Sequence, residues 1–223
     1  MREMAEFVSS RLAALADAET AAGMAAYMKT SMPCYGVKTE PRREIAREAA
    51  RLFPVETRRE YEAAVLSLWR LPHREEKYTA ITIARLHRKL VGYESLGLYE
   101  RVVREGAWWD LVDETAVHLV GASLLKSPGE VWPVMDRWID DPDMWIRRTA
   151  ILCQNAHKEK TDEARLFDYC LRRAHETEFF VRKAIGWALR SYAYTAPDAV
   201  RRFLAEHDGE LSALSVREAA KHL

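Results

Sequence analysis

The stretch Trp145–Ala150 (WIRRTA) recurs 35 residues later as Phe180–Ile185 (FVRKAI), with aromatic, apolar and basic residues in the same order. A further step of 35 residues reaches Val216–Ala219 (VREA). Steps of 35 residues back from Arg148 reach Asp113 and then Tyr78. The three residues that follow Tyr78, Thr-Ala-Ile, occur again two periods later, directly after Arg148. A period near 35 residues that accommodates two helices is typical of an α-solenoid, in which neighbouring helix pairs bury a shared core.

Helical spacing of apolar residues continues along nearly the whole chain, and no segment shows the sustained alternation of a strand. We therefore predict an all-α fold, a right-handed α-solenoid of about six helix pairs, as a single domain over residues 1–223. The second helix of each pair should line one concave face. One predicted helix has Thr39 as its cap and Pro41 as its first residue. The other predicted helices are 3–15, 21–29, 57–70, 73–90, 93–105, 109–125, 129–139, 143–157, 161–174, 178–194, 197–206 and 213–222.

The composition excludes several classes of protein. A chain that is 48% hydrophobic with only 9 Gly and 8 Pro is not disordered, and it has no run of apolar residues long enough to span a bilayer. The N-terminus lacks the pattern of a signal peptide, and the three widely spaced cysteines suggest neither a disulfide framework nor a zinc site, so we expect a cytoplasmic protein.

Equal numbers of basic and acidic residues, 34 of each, taken alone count against a nucleic-acid partner. A neutral protein can nevertheless carry one basic face. The repeat predicts one row of equivalent positions near the start of each second helix, made of Arg43, Tyr78, Asp113, Arg148, Lys183 and Glu218. Lys183, Trp187 and Arg190 share one helical face, which would widen this row. The alternative is that Trp187 belongs to the core and that Arg148 and Lys183 are solvated charges.

Two adjacent tryptophans and two carboxylates stand together in Trp108–Asp113 (WWDLVD). If a helix begins near Trp109, its indole and the Asp113 carboxylate share one face. An aromatic face beside a carboxylate is a suitable site for a cation. The alternative is structural, because tryptophans are often core residues and an Asp near a helix start is often an N-cap.

Other aromatic and titratable residues have structural interpretations. Trp69, Trp138 and Trp145 fall at apolar positions between helices, and we assign them to the core. Three histidines, His118, His157 and His175, lack the spacing of metal ligands and are interpreted as structural or exposed.

Several blocks of the chain together resemble the AlkD-type DNA alkylation repair glycosylases. The resemblance covers nearly the whole chain, in order and with similar spacing. Its blocks are Met24–Lys29, Leu68–Glu75, Trp108–Asp113, Trp145–Leu152, Phe179–Arg190 and Leu214–Ala219. A generic helical repeat would not contain both the tryptophan-aspartate block and the glycine-tryptophan-arginine block. The chain stops at Leu223, so we expect a family-type C-terminal extension to be absent.

This resemblance implies a superhelix of HEAT-like helix pairs and a role in base excision repair. The implied reaction is hydrolysis of the N-glycosidic bond of cationic N3- and N7-alkylated purines in duplex DNA, without flipping the base into a pocket. Trp109 and Trp187 would flank the damaged nucleotide, and Asp113 would be the essential carboxylate. The residues implied in DNA binding are Tyr27, Arg148, Lys183 and Arg190.

The chemistry of these residues predicts a monofunctional enzyme. An alkylated purine is already a cation, so an ionised Asp113 would stabilise the positive charge that develops on the sugar and orient water. No lysine follows the tryptophan doublet as a Schiff-base nucleophile. We expect no metal or organic cofactor, no membrane contact and a monomer. The alternative is a non-catalytic helical-repeat scaffold that binds DNA or protein.

Overall fold

A computed structural model describes all residues of the protein, 1–223. Every regular element is a helix, and none has the combination of length and apolar character needed to cross a lipid bilayer. The all-α class predicted from the repeat is therefore confirmed. The chain divides into two compact units, Met1–Val91 and Gly92–Leu223, and each is described by itself. That the chain acts as one domain remains a prediction.

The first unit contains five α-helices. Local signals start two of them, since Asp17 accepts a hydrogen bond from the amide of Thr20, and Thr57 forms a reciprocal capping box with Glu60. The helices are α1 (Arg2–Ala14), α2 (Ala18–Met28), α3 (Thr39–Leu52), α4 (Arg58–Trp69) and α5 (Arg74–Leu86), followed by a 3-10 turn at Arg88–Leu90.

The loop between α2 and α3 is held by a buried carboxylate. Glu75, at the start of α5, accepts hydrogen bonds from the amides of Tyr35, Gly36 and Val37, at 3.0, 2.8 and 3.1 Å. Gly36 has a φ of 86°, a left-handed conformation that glycine adopts at little cost. Both carboxyl oxygens of Glu75 are thereby hydrogen-bonded inside the unit, where the residue is 1% exposed.

The second unit contains the remaining helices. A 3-10 turn at Tyr93–Ser95 leads into α6, and α7 passes without a break through a π-helical segment, Ala116–Val120, into α8. The helices are α6 (Leu96–Gly106), α7 (Trp109–Thr115), α8 (Gly121–Lys126), α9 (Pro128–Trp138), α10 (Met144–Leu152), α11 (Glu163–Arg172), α12 (Phe179–Ala193), α13 (Pro197–Glu206) and α14 (Ala213–Ala219).

Helices of the second unit pack as the 35-residue period predicts. Helix α7 contacts α10, α10 contacts α12, and α12 contacts α14, while α9, α11 and α13 each pack on a member of this series. Each pair thus covers the apolar side of its neighbour, which is how an α-solenoid builds a core. Trp138 and Trp145 are buried here, as Trp69 is in the first unit, so their assignment to the core is confirmed.

Four predicted helix boundaries are wrong. Helix α2 begins at Ala18 instead of residue 21, and α5 ends at Leu86 instead of residue 90. Helix α3 begins at Thr39 itself, with Lys38 as its N-cap and no side-chain capping bond, so Pro41 is the third helical residue. Helix α10 ends at Leu152 instead of residue 157. The chain turns there because the Gln154 amide exchanges hydrogen bonds with the backbone of Asp162, at 2.7 and 3.2 Å.

A close approach of α8 to the end of α10 depends on Gly121. A Cβ at this position would lie 2.3 Å from the carbonyl oxygen of Cys153, a backbone atom that cannot rotate away. We therefore expect Gly121→Ala to destabilise the protein by about 1–3 kcal/mol, measured by urea unfolding. The control is Gly97→Ala in α6, where nothing lies within 4 Å of the new methyl group. Equal stability of both variants would contradict the close contact.

Candidate functional site

The candidate site begins on helix α7, which carries Trp109 and Asp113. Trp108 is the N-cap of this helix, so Trp109 is its first residue and Asp113 follows one turn later on the same face. Trp109 is half-buried, and the side chain of Asp113 is largely buried. Asp113 is too far into the helix to cap its N-terminus, so the capping alternative is wrong.

The helix that carries Asp113 has an unusual backbone. Immediately after Thr115 the chain adopts the π-helical segment Ala116–Val120 before α-helical geometry resumes at Gly121. A π-segment within an α-helix is rare and frequently accompanies a functional site. It lies within one turn of Asp113 and gives independent support for a site on this helix.

Asp113 forms a bidentate ion pair with Arg148 of α10. Nε of Arg148 donates to Oδ1 at 2.7 Å, and Nη2 donates to Oδ2 at 2.8 Å. The side chains are only 14% and 6% exposed, respectively. The two residues are 35 positions apart, as the repeat predicts for neighbours in one row. This parallel pairing fixes both the position and the orientation of the carboxylate.

Arg148 also joins α10 to the start of α12. Its Nη1 donates to the carbonyl oxygen of Phe180, so each of its three nitrogens donates a hydrogen bond inside the protein. Beneath it, the rings of Trp108, Trp145 and Phe180 pack together, with centroids 4.9 to 6.1 Å apart. The expected phosphate contact needs an accessible guanidinium. The observed geometry favours a positioning role for Arg148 instead.

Burial and pairing act in opposite directions on the pKa of Asp113. Burial of the carboxyl raises its pKa above the ordinary value, and the hydrogen bonds and charge of Arg148 oppose that rise. Asp110 and Glu114 add smaller contributions that raise it further. The ionised state of Asp113 therefore depends on Arg148.

A second group of predicted residues lies on α12. Lys183, Trp187 and Arg190 share one face of the helix, and Trp187 is half-buried. Lys183 and Arg190 both contact Glu218 of α14, at 3.0 and 2.8 Å. The pair Lys183 and Glu218 is again separated by one period, so the predicted row has two pairs of neighbours in contact within the second unit.

Tyr27, the remaining predicted site residue, belongs to the first unit. It lies in the last turn of α2, and it is 75% exposed. Lys29 follows as the C-cap of that helix in a left-handed conformation with a φ of 50°. The tyrosine ring is thus presented at the surface of its unit, where it is accessible to a partner.

Three features of the candidate site are not predicted by the sequence. They are the carbonyl of Phe180, the contacts of Glu218 and the participation of Lys221, whose Nζ lies 2.8 Å from Glu218. Three cations surround Glu218, and Lys221, Lys183 and Arg190 lower the pKa of its carboxyl to about 2. The only signals in the sequence were the period, which joins Lys183 to Glu218, and the helical spacing of Glu218 and Lys221.

Histidine and cysteine side chains have structural surroundings. His157 is buried, and its Nε2 lies 2.9 Å from the carbonyl oxygen of Gly121 in the preceding helix pair. Burial lowers the pKa of this imidazole. No disulfide joins Cys34, Cys153 or Cys170, and no group of three or more His, Cys, Asp and Glu side chains is arranged to hold a metal ion.

Comparisons with other proteins agree with the resemblance in the sequence blocks. The family model described as DNA alkylation repair enzyme matches residues 8–223. A solved structure from Enterococcus faecalis, described as a predicted DNA alkylation repair enzyme, is 28% identical with a TM-score of 0.86. The match covers 93% of this chain and 96% of that one. A search of curated proteins finds no match. The chain therefore belongs to the family of DNA alkylation repair enzymes.

Proposed function

We propose that the protein is a monofunctional DNA glycosylase that removes cationic N3- and N7-alkylated purines from duplex DNA. The observation that carries this proposal is the buried Asp113 carboxylate, held in a fixed orientation by Arg148 on the helix that Trp109 begins. Membership of the alkylation repair family supplies the class of damage. A carboxylate near DNA weakens phosphate binding, so Asp113 is better suited to acting on the cationic nucleotide than to holding the DNA backbone.

Asp113 would act on the sugar of the damaged nucleotide. As the bond between C1′ and the base nitrogen breaks, its electron pair neutralises the cationic base, and positive charge develops on the deoxyribose. The ionised carboxylate would stabilise that charge and orient the water that attacks C1′. The water proton passes to Asp113 or to solvent. Arg148 would keep the carboxylate ionised and correctly oriented, which makes it a positioning residue.

Aromatic and basic side chains would provide selectivity and binding. The indole rings of Trp109 and Trp187 would favour a cationic nucleotide over a neutral one by cation–π attraction. Lys183 and Arg190 would contact the DNA backbone, and Tyr27 would support the bound strand from α2. We propose that the protein acts as a monomer in the cytoplasm, needs no metal or organic cofactor, and excises the base without flipping it.

Release of free base from methylated duplex DNA tests this proposal directly. We expect chromatography to detect 7-methylguanine or 3-methyladenine, and the DNA to remain unbroken until the abasic sites are cleaved by alkali. Cleavage without alkali would contradict the monofunctional assignment. DNA binding without release of either base would favour a scaffold with no catalytic role.

A further inference from the structure

A buried carboxylate at the end of the second unit is surrounded by three cations. Lys183 and Lys221 contact Oε1 of Glu218 at 3.0 and 2.8 Å, and Arg190 contacts Oε2 at 2.8 Å. We call Lys183, Arg190, Lys221 and Glu218 the Glu218 cluster. Lys221 is three residues from Glu218 and contacts it locally, whereas Lys183 and Arg190 of α12 reach Glu218 only because α12 packs against α14.

The packing that forms this cluster depends on Gly186. A Cβ there would lie 2.5 Å from Cβ of Glu218 and 2.7 Å from the carbonyl oxygen of Ser215. The hydroxyl of Ser215 donates to the carbonyl oxygen of Arg182 at 2.9 Å, which ties α14 to the same turn of α12. Glu218 is thereby placed beneath α12, between Lys183 and Arg190.

Charge and exposure distinguish the centre of the cluster from its edge. Glu218 has a side chain that is 7% exposed, whereas those of Lys183, Arg190 and Lys221 are 34%, 22% and 49% exposed. Three cations against one carboxylate leave two positive charges in excess. An incoming anion would therefore meet the cations and not the carboxylate.

The ion-pair network around Arg104 in this unit has the opposite balance. Arg104 is within ion-pair distance of Glu100, Asp141 and Asp143, so its single positive charge is outnumbered. Each ammonium of the Glu218 cluster carries three N–H donors, of which one is directed to Glu218. The remaining donors are available to a ligand that offers several oxygens.

We propose that the Glu218 cluster binds a backbone phosphate of duplex DNA, with Lys221 as a further contact and Glu218 as the residue that positions all three cations. The choice of DNA as the source of the phosphate rests on the proposed function. Trp187 lies between Lys183 and Arg190 on the same helical face, so a phosphate held here would adjoin the nucleotide-binding tryptophan. Holding three flexible side chains in place before binding reduces the entropy lost when DNA arrives.

Substitution of Lys221 by Gln tests the binding site. We expect affinity for unmodified duplex DNA, measured by fluorescence anisotropy, to fall roughly 8-fold at about 0.1 M salt, because one phosphate contact contributes about 0.9 to the slope of log K against log salt. The slope itself should decrease by about 0.9. The matched control is Lys160→Gln, an exposed lysine on another turn without contact to Glu218. An unchanged slope for Lys221→Gln, or an equal loss in the control, would overturn the site.

Substitution of Glu218 by Gln tests the positioning role. If the charges simply add, removing a carboxylate should strengthen DNA binding and steepen the salt dependence. Positioning predicts the reverse, a loss of severalfold with a shallower slope, because the three cations no longer converge. Thermal unfolding will establish that the variant is folded. Tighter binding by the folded variant would overturn the role of Glu218.

These measurements are independent of base excision because the DNA carries no lesion. Loss of binding in the Lys221 variant would support the cluster even if no alkylated base is ever released. Competition with inorganic phosphate at constant ionic strength distinguishes a phosphate of the DNA backbone from a free phosphate ion as the ligand of the Glu218 cluster. We expect millimolar phosphate to leave DNA binding unchanged, and displacement at that concentration would overturn DNA as the ligand in favour of a small anion.

Discussion

Replacing Asp113 by Asn should reduce the release of alkylated bases by about 10²–10⁴-fold, the range that a positioned acid–base or electrostatic group contributes. Asparagine keeps the shape of the side chain but removes the charge that would stabilise the sugar cation. Affinity for DNA should stay the same or rise, because a negative charge is lost near phosphates. Single-turnover release of 7-methylguanine, together with anisotropy on the same DNA, measures both effects.

A second, more exposed pair of an aspartate and an arginine in the same unit provides the control. Asp136 accepts two hydrogen bonds from Arg165, each at 2.8 Å, but belongs to α9, outside the series of second helices that carries Asp113 and Arg148. Asp136→Asn should therefore leave base release unchanged. Asp113→Asn leaves Arg148 buried without its anion, so activity is compared well below the Tm of the variant. Wild-type activity in folded Asp113→Asn would refute the catalytic role.

Replacing Arg148 by Met should shift the acid limb of the pH–activity profile to higher pH. Burial already raises the pKa of Asp113, and Arg148 is the group that opposes this rise, so its removal raises the pKa further. The ionised fraction of Asp113 then falls at a given pH, and base release falls with it. Activity of wild type and variant measured across the acid range will show the displacement.

The same substitution should lower stability, with a defined pH dependence. A buried carboxylate left without its partner costs about 3–5 kcal/mol when ionised. When the pKa of Asp113 is higher in the folded protein than in the unfolded chain, protonation of Asp113 makes folding more favourable. This contribution to the free energy of unfolding is lost as the pH rises through the pKa of Asp113 in the folded protein. Urea unfolding should therefore show a larger deficit at neutral than at acid pH. A deficit independent of pH would contradict this coupling.

Binding to undamaged DNA separates the two roles considered for Arg148. As a positioning residue, it should affect base release while changing affinity for plain duplex DNA little. A phosphate contact would instead weaken binding to damaged and plain DNA alike, and reduce the salt slope by about 0.9. Arg165→Met is the control for removal of a paired arginine. Equal losses of affinity for damaged and plain DNA in the Arg148 variant would show that Arg148 contacts a phosphate and would contradict the positioning role.

Much of the fold follows from local patterns that the chain carries along its length. Helical periodicity and the 35-residue period predict the all-α class and the order in which second helices of the second unit meet. The period also anticipates two contacts, Asp113 with Arg148 and Lys183 with Glu218. Residues at equal phase in successive repeats become neighbours whenever the repeats stack, so sequence spacing suffices for these pairs.

The sequence by itself determined the helical class, the order in which the second helices meet and two pairs of neighbours, Asp113 with Arg148 and Lys183 with Glu218, because periodicity and repetition are local properties of the chain. Only the tertiary structure decided which charged groups are buried. From the sequence, Arg148 could not be distinguished from an exposed cation, but in the structure its nitrogens donate hydrogen bonds to Asp113 and to the carbonyl oxygen of Phe180. Glu218 contacts three cations because Gly186, which has no side chain, allows α14 to pack closely against α12. Burial and close approach depend on how neighbouring helices pack, and these determine the pKa of Asp113 and the grouping of cations around Glu218.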